Sequence, residues 1–255
     1  MLLKDEIFKR DNITLLAVIA IAALSICLAQ AWLPPSLDPE SIYSLLPFLR
    51  TLHGDLGIYG LRFFLISLLF GLIPFLVLTL LGLRPAEVGI RRPRLRFYLW
   101  LVLACAGCGL GFLTYLASDL ASYYPYSKTI PALLKQGQIA WLFFHPCLYL
   151  FFYYLPWEFF FRGFLIFPLL KTVDSSWPAD MRLNSIRFLV LSFQTIPSAF
   201  FHIGHPLLEL LSAIPAGFFF GLLAFKTRSI LPGLIFHACL GISLDLLILL
   251  EALKG

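Results

Sequence analysis

"YYLPWEFFFRGFLIFPLL", residues 153–170, is an apolar, aromatic-rich run that contains one glutamate and one arginine. Glu158 and Arg162 are four residues apart, so in a helix they share one face and can pair. An ionisable residue at membrane depth costs at least ~2.5–3.5 kcal/mol and usually faces a bundle interior or a water-filled cavity. The run alone leaves three interpretations open: an ion pair that locks a helix, a pair at the end of a span that reaches water, and a functional site.

The rest of the chain has the composition of a helical membrane protein. Of its 255 residues, 60% are hydrophobic and 13% are charged, whereas soluble domains average about 25% charged residues. The apolar residues fall in blocks of about 20, the length that crosses a bilayer as a helix. The seven blocks are residues 13–33, 61–83, 97–117, 139–156 (apolar to 170), 187–204, 208–225 and 230–250. The sequence therefore predicts an all-α polytopic transmembrane bundle of about seven spans in a lipid bilayer.

The basic residues of the loops predict the orientation of this bundle. Thirteen lie in the N-terminal tail and after the second, fourth and sixth blocks, and four lie in the other loops and at the C-terminus. The thirteen are Lys4, Lys9, Arg10, Arg84, Arg91, Arg92, Arg94, Arg96, Lys171, Arg182, Arg187, Lys226 and Arg228, and the four are Arg50, Lys128, Lys135 and Lys254. Because basic loops stay cytoplasmic, we expect a cytoplasmic N-terminus in a bacterial plasma membrane, and no nucleic-acid partner despite the net charge of +5.

A polar cluster lies where the fifth block meets the sixth. Residues 198–210, "SAFFHIGHPLLEL", bring His202, His205 and Glu209 within eight residues of one another. A lone histidine on an apolar face is most often a satisfied core residue, but two histidines and a glutamate this close favour a polar site. His205 and Glu209 share a face if the helix continues through Pro206, although proline is equally suited to opening a new helix.

A third polar element lies in the last block, residues 231–247, "LPGLIFHACLGISLDLL". His237, Gly241 and Asp245 are four apart, so this helix presents an imidazole, a gap and a carboxylate on one face. Imidazole titrates near neutrality, and such groups suit the activation of water against a carbonyl, with another group stabilising the oxyanion. Zinc is a second use of histidine and glutamate. The chain has no HExxH motif, so we expect no metal and no other cofactor.

The three elements resemble, in order, the motifs of the CAAX protease and bacteriocin-processing (Abi) family of intramembrane glutamate-type proteases. The first motif is two adjacent glutamates followed by xxxR, and "WEFFFRG" matches it with Glu158 and Arg162. The loop "LRPAEVGIRRPRLR" before the third block is also similar to the family. The resemblance covers roughly residues 83–245, which predicts an N-terminal two-span extension over residues 1–82 and a protease core over residues 83–255.

The second motif of the family, FxxxH, can be placed in two registers. Phe201 to His205 has the motif spacing, whereas the family variant HFGKPxxE aligns with "HIGHPLLE" and makes His202 the motif histidine. We favour His202, because that alignment matches more positions. The third motif, HxxxN, is matched by His237 with Gly241 in the asparagine position.

Two positions depart from the family motifs. Trp157 stands where the family has its first, water-activating glutamate, and Gly241 has no side chain to help hold the oxyanion. Three possibilities follow for the missing base. Glu158 serves directly, Glu209 or Asp245 supplies the carboxylate from another span, or the chain is catalytically inactive.

The resemblance implies an intramembrane endopeptidase that hydrolyses membrane-associated protein or peptide substrates. Glu158, together with His202 or His205, would activate the water that attacks the peptide carbonyl. His237 would stabilise the oxyanion, and Arg162 would orient Glu158. Two alternatives stay open: a catalytically inactive scaffold or immunity-type protein, and a proton-coupled transporter, although the sequence shows no inverted repeat of the kind that transporters often carry.

Overall fold

A computed structural model describes residues 10–32, 39–117, 123–125, 127–176 and 185–254. These residues form helices and turns without a strand, which confirms the all-α prediction. The basic residues Lys4, Lys9 and Arg182 lie outside the described residues. The helices are α1 (Arg10–Trp32), α2 (Pro39–Leu45), α3 (Leu56–Leu80), α4 (Phe97–Ala117), α5 (Thr129–Lys135), α6 (141–164), α7 (Phe167–Ser176), α8 (Ser185–Phe200), α9 (Leu207–Thr227) and α10 (Leu231–Ala252), with short 3₁₀ turns at Pro47–Thr51 and Pro85–Val88.

Six of the described helices are long and apolar enough to cross a membrane, in keeping with a bundle of about seven spans. These stretches are Asn12–Ala31, Leu56–Leu80, Phe97–Leu116, Trp141–Lys171, Leu207–Thr227 and Leu231–Ala252. The fifth predicted block, residues 187–204, forms α8, which has 16 residues. At a rise of 1.5 Å per residue such a helix is about 24 Å long, shorter than the ~30 Å hydrocarbon core. A complete crossing by α8 therefore stays a prediction.

Helix α6 is the centre of the bundle. Within the span Trp141–Lys171, 72% of the apolar window is buried inside the protein, against 11% for α4. The helix widens into π-helical turns at Leu150–Tyr154 and Phe159–Phe164. Pro156 has no N–H for the Phe152 carbonyl, and the Ser67 hydroxyl of α3 donates to that carbonyl instead, at 3.0 Å. An unsatisfied carbonyl would be costly in lipid, so this contact lets an irregular helix persist at the centre of the bundle.

Aromatic side chains fill the space between α6 and its neighbours. The rings of Phe70 and Phe160 stack at 4.5 Å, and Trp157 stacks on Tyr153 at 5.8 Å. The buried cluster continues along α6 through Phe159, Phe161 and Phe164, and past its end through Leu165 and Ile166. This apolar packing surrounds the two charged residues of α6 and fixes the helix that carries them.

Helix α4 packs closely along α10. A Cβ atom on Gly107 would lie 2.5 Å from the Phe236 carbonyl oxygen, and one on Gly111 would overlap the Leu240 carbonyl oxygen. Small residues four apart allow such close backbone contact between membrane helices. Phe236 and Leu240 flank His237 on α10, so this contact supports the segment of α10 that carries the histidine.

Candidate active site

The two charges of the opening run lie at the interface of α6 and α10. Glu158 is fully buried, and Arg162 is 2% exposed. The Glu158 Oε2 atom lies 3.4 Å from Arg162 Nε within α6. Its Oε1 atom lies 2.8 Å from His237 Nδ1 on α10. A Cβ on Gly233, one turn before His237, would lie 3.2 Å from Oε2, so the glycine lets α10 approach the carboxylate.

Phe220 of α9 holds both partners of Glu158. Its ring stacks on the His237 ring with centroids 5.1 Å apart, and the Arg162 guanidinium carbon lies 5.3 Å from the Phe220 centroid. Cation–π contacts of this kind are strongest where water is excluded. Sequence reasoning missed Phe220, because it is one phenylalanine in an apolar span and its contacts depend on helix packing.

His237 connects the buried carboxylate to open space. Its side chain is 21% exposed, whereas that of Glu158 is not exposed at all. The contact with Glu158 assigns the proton of the neutral ring to Nδ1, since a carboxylate oxygen accepts. The other ring nitrogen, Nε2, then carries a lone pair, and it makes no hydrogen bond to any described residue.

A second polar group forms where α8 meets α9. Glu209 Oε1 lies 2.9 Å from His205 Nδ1, and it accepts a hydrogen bond of 2.8 Å from the Tyr124 hydroxyl. His202 Nδ1 donates to the Ser198 carbonyl at 3.0 Å, and its Nε2 lies 3.8 Å from Glu209 Oε1. Pro206 precedes α9, so it opens a new helix rather than continuing α8.

A third polar group joins α3, α6 and α10. His145 Nε2 lies 3.1 Å from Asp245 Oδ2, and the Tyr59 hydroxyl lies 2.7 Å from His145 Nδ1. All three side chains are buried. Sequence reasoning missed His145 and Tyr59, because nothing in the local spacing links either residue to a carboxylate 100 or more positions away.

One cavity is lined by residues of the first two polar groups and by Asp245 of the third. It encloses ≈ 690 Å³ between α4, α6, α9 and α10. Its walls are mostly apolar, and its polar lining includes Arg162, His202, Glu209, His237, Asp245 and Tyr154. Trp157 and Gly241, the two departures from the family motifs, also line it. Glu158 reaches this space through His237, and His205 turns toward Glu209.

The described residues contain no group of three or more histidine, cysteine, aspartate or glutamate side chains arranged to hold a metal ion. The nearest set is His202, His205 and Glu209. His205 Nδ1 bonds Glu209 directly, His202 Nδ1 bonds the Ser198 carbonyl, and His202 Nε2 lies 3.8 Å from Glu209 Oε1. Absence of a metal from the reaction stays a prediction.

Residues 139–242 match the family model described as type II CAAX prenyl endopeptidase Rce1-like. This segment is therefore similar to the CAAX protease family. This confirms the family that the three motifs resemble. No curated protein and no solved structure matches the chain.

The matched segment contains both residues of the α6 pair, the two histidines of the α8–α9 junction, and His237 with Gly241. Asp245 lies three residues beyond its end. The apolar helices and this family match together point to an integral membrane protein. The division into residues 1–82 and 83–255 stays a prediction.

Proposed function

We propose that this protein is an intramembrane CAAX-type endopeptidase in which the Glu158–His237 pair activates the attacking water. One observation carries the proposal: a fully buried carboxylate bonds His237 Nδ1 at 2.8 Å, while the same imidazole lines the cavity. A carboxylate that orients an imidazole, whose other nitrogen faces the substrate, is the arrangement of general-base hydrolases.

The steps follow from this geometry. His237 Nε2 takes a proton from water while the water oxygen attacks the peptide carbonyl. The resulting imidazolium is stabilised by the Glu158 carboxylate, whose charge Arg162 also balances at 3.4 Å. The imidazolium then gives its proton to the leaving amine as the C–N bond breaks. The products are a carboxylic acid and an amine, the proton of the acid then passes to the amine, and the pair returns to its starting state.

This assignment differs from the expectation that Glu158 contacts the water itself. The carboxylate has no exposed surface, and His237 stands between it and the cavity. Glu158 is therefore a positioning residue in this proposal. His237, which the sequence had assigned to the oxyanion, becomes the base.

The α8–α9 junction supplies a second imidazole to the cavity. His202 lines the cavity and donates its Nδ1 proton to the Ser198 carbonyl, which leaves Nε2 to hydrogen-bond a substrate amide. His205 bonds Glu209 at 2.9 Å and so supports the junction rather than the substrate. The geometry thus favours His202 as the motif histidine.

The substrate class follows from the cavity and from the family. A mostly apolar cavity among membrane helices suits a membrane-associated peptide with an apolar anchor. The family description names CAAX prenyl endopeptidases, so we propose a C-terminal peptide with a prenylated cysteine as one substrate and an unmodified membrane peptide as the other. The mechanism uses no metal, and a chelator should leave the rate unchanged.

The test is peptide cleavage by the purified protein reconstituted in liposomes. A farnesylated CAAX peptide and its unprenylated counterpart are compared with a library of membrane peptides. The wild type should cleave at least one, and His237→Gln should lower kcat by ~10²–10⁴-fold. His145→Gln is the matched control, because it makes the same change in the other buried histidine–carboxylate pair. If the folded wild type cleaves nothing, the protease proposal falls and a non-catalytic scaffold is favoured.

A further inference from the structure

Tyr154 and Gly241 form a second contact between the two helices that carry the active pair. Tyr154 precedes Glu158 by four residues on α6, and Gly241 follows His237 by four residues on α10. The two helices therefore meet at two levels, one turn apart. At one level a carboxylate meets an imidazole, and at the other a phenol meets a glycine.

The Tyr154 hydroxyl occupies the space of a side chain at position 241. A Cβ atom built on Gly241 would overlap the Tyr154 hydroxyl oxygen and would lie 2.7 Å from the Tyr154 Cζ atom. Both residues line the cavity. The third motif has asparagine at position 241. In this protein the Tyr154 hydroxyl of α6 fills the space of that side chain.

The ring of Tyr154 fixes where that hydroxyl lies. It packs against the His237 ring with centroids 4.9 Å apart and an interplanar angle of 60°. It also contacts the rings of Tyr149 and Tyr153, at 5.9 and 5.3 Å. The side chain is 6% exposed, so packing on several sides holds it in one position next to the base.

The Tyr154 hydroxyl has no hydrogen-bond partner among the described residues. By contrast, the Tyr59 hydroxyl bonds His145 at 2.7 Å and the Tyr124 hydroxyl bonds Glu209 at 2.8 Å. A buried hydroxyl without a partner is costly, and buried tyrosines usually find one. A hydroxyl left open toward a cavity therefore points to a partner that arrives with the substrate.

We propose that Tyr154 is a catalytic residue whose hydroxyl donates a hydrogen bond to the scissile carbonyl oxygen as negative charge develops on it. The proposal rests on the proposed function and adds the oxyanion donor that Gly241 cannot supply. The phenol keeps its proton throughout, so no bond to Tyr154 forms or breaks. Donors fixed before the reaction stabilise the developing charge without reorganisation.

The direct test is Tyr154→Phe, which removes the donor and keeps the ring that packs on His237. We expect kcat to fall by ~10²–10³-fold, the magnitude seen for loss of one oxyanion donor, with KM within about twofold. The melting temperature should not fall, because the lost hydroxyl had no protein partner. Tyr59→Phe is the matched control, and it should lower the melting temperature and leave kcat within about threefold.

A second variant pair separates the donor from the ring. Tyr154→Leu empties the space beside residue 241, and adding Gly241→Asn places an amide donor there from α10. The double variant should recover at least tenfold of the kcat that Tyr154→Leu loses. A phosphinate peptide that mimics the tetrahedral intermediate should bind Tyr154→Phe more weakly by the same factor as the fall in kcat/KM, because both report the transition-state contact.

The outcomes distinguish this inference from the function on which it rests. Cleavage that requires Glu158 and His237 but is unchanged in Tyr154→Phe overturns the role of Tyr154 alone. Phosphinate affinity that is unchanged in Tyr154→Phe overturns it as well. A wild type without activity, or one that retains activity after His237→Gln, overturns the proposed function and this inference together.

Discussion

Helices α6 and α10 carry two buried histidine–carboxylate pairs that are reversed relative to each other. In one pair the carboxylate, Glu158, is on α6 and His237 is on α10, 2.8 Å away. In the other the histidine, His145, is on α6 and Asp245 is on α10, 3.1 Å away. The chemical groups and the distances are nearly the same, so any difference in role must come from the surroundings.

The surroundings differ at the second ring nitrogen. Both nitrogens of His145 are occupied, one by Asp245 and the other by the Tyr59 hydroxyl, and the side chain is 1% exposed. His237 has one nitrogen on Glu158, none of the described residues on the other, and a side chain 21% exposed to the cavity. Only an imidazole with an accessible nitrogen can exchange a proton with water, so in the proposed mechanism the first pair is the reaction centre and the second is a structural contact.

The largest expected effect is the difference in kcat between amide substitutions of the two carboxylates, Glu158 and Asp245. Glu158→Gln should lower kcat by ~10²–10⁴-fold, because the amide no longer holds the imidazole with Nε2 unprotonated. Asp245→Asn should change kcat less than about threefold. Glu158→Asp should recover part of the loss, and the pH profile of kcat should shift in it but not in Asp245→Asn. Equal losses in the two amide variants would end the distinction between the pairs.

The next effect is on stability, measured by thermal unfolding in detergent. Removal of one partner of a buried hydrogen bond leaves the other polar group unsatisfied, at a cost of ~1–3 kcal/mol, so Asp245→Leu alone should lower the melting temperature. His145→Phe combined with Asp245→Leu replaces both partners by apolar groups, and it should recover most of that loss while retaining activity. If the double variant is stable but inactive, the His145–Asp245 pair takes part in the reaction.

A smaller contrast concerns the two histidines at the α8–α9 junction. His202→Ala should lower kcat/KM by ~10²-fold, the lower end for an acid–base group, because His202 lines the cavity. His205→Lys should retain much of the activity, since a lysine can still pair with Glu209, which His205 contacts at 2.9 Å. Comparable losses would place both imidazoles in the site, and full activity in both would remove the junction from the mechanism.

The smallest expected effect concerns Asp55, at the start of the helix that carries Tyr59, the partner of His145. Asp55 precedes α3, and its carboxylate accepts hydrogen bonds from the Ser127 hydroxyl and the Lys128 and Thr129 amides at 2.5–3.3 Å. Burial alone would raise its pKa, but these hydrogen bonds outweigh burial and lower the pKa below the usual value. The Asp55 carbonyl also accepts from the Tyr59 amide, at 3.0 Å.

Low pH should therefore destabilise the contact between Asp55 and the start of α5. A carboxyl with a lowered folded pKa contributes stability that is present above its unfolded pKa, about 3.9, and is lost as the pH falls through the folded value. The protection factors of the α5 amides, which correct for the intrinsic pH dependence of hydrogen exchange, should fall below pH ~4 in the wild type. In Asp55→Asn they should already be low at pH 7. Protection factors that are independent of pH in the wild type and equal in the two proteins would contradict the role of Asp55.

The sequence predicted the membrane class and the motif-bearing residues for a local reason. Twenty-residue apolar blocks and the four-residue spacing of Glu158 and Arg162 are properties of single helices, and a helix can be read without its neighbours. The same reasoning could not find Phe220, Tyr154 or His145. Each looks like an ordinary residue of an apolar span, and its importance comes from a helix far away in the chain.

What the sequence determined by itself is therefore the bundle and its inventory of polar groups: all-α spans, and acid–base residues on three of them. Only the tertiary structure decided how those groups pair. It joined Glu158 to His237 rather than to a histidine of the α8–α9 junction, gave Asp245 to His145, and set the Tyr154 hydroxyl against Gly241. The physical reason is that spacing along one helix fixes which side chains share a face, whereas the partner across an interface depends on the close approach of two backbones.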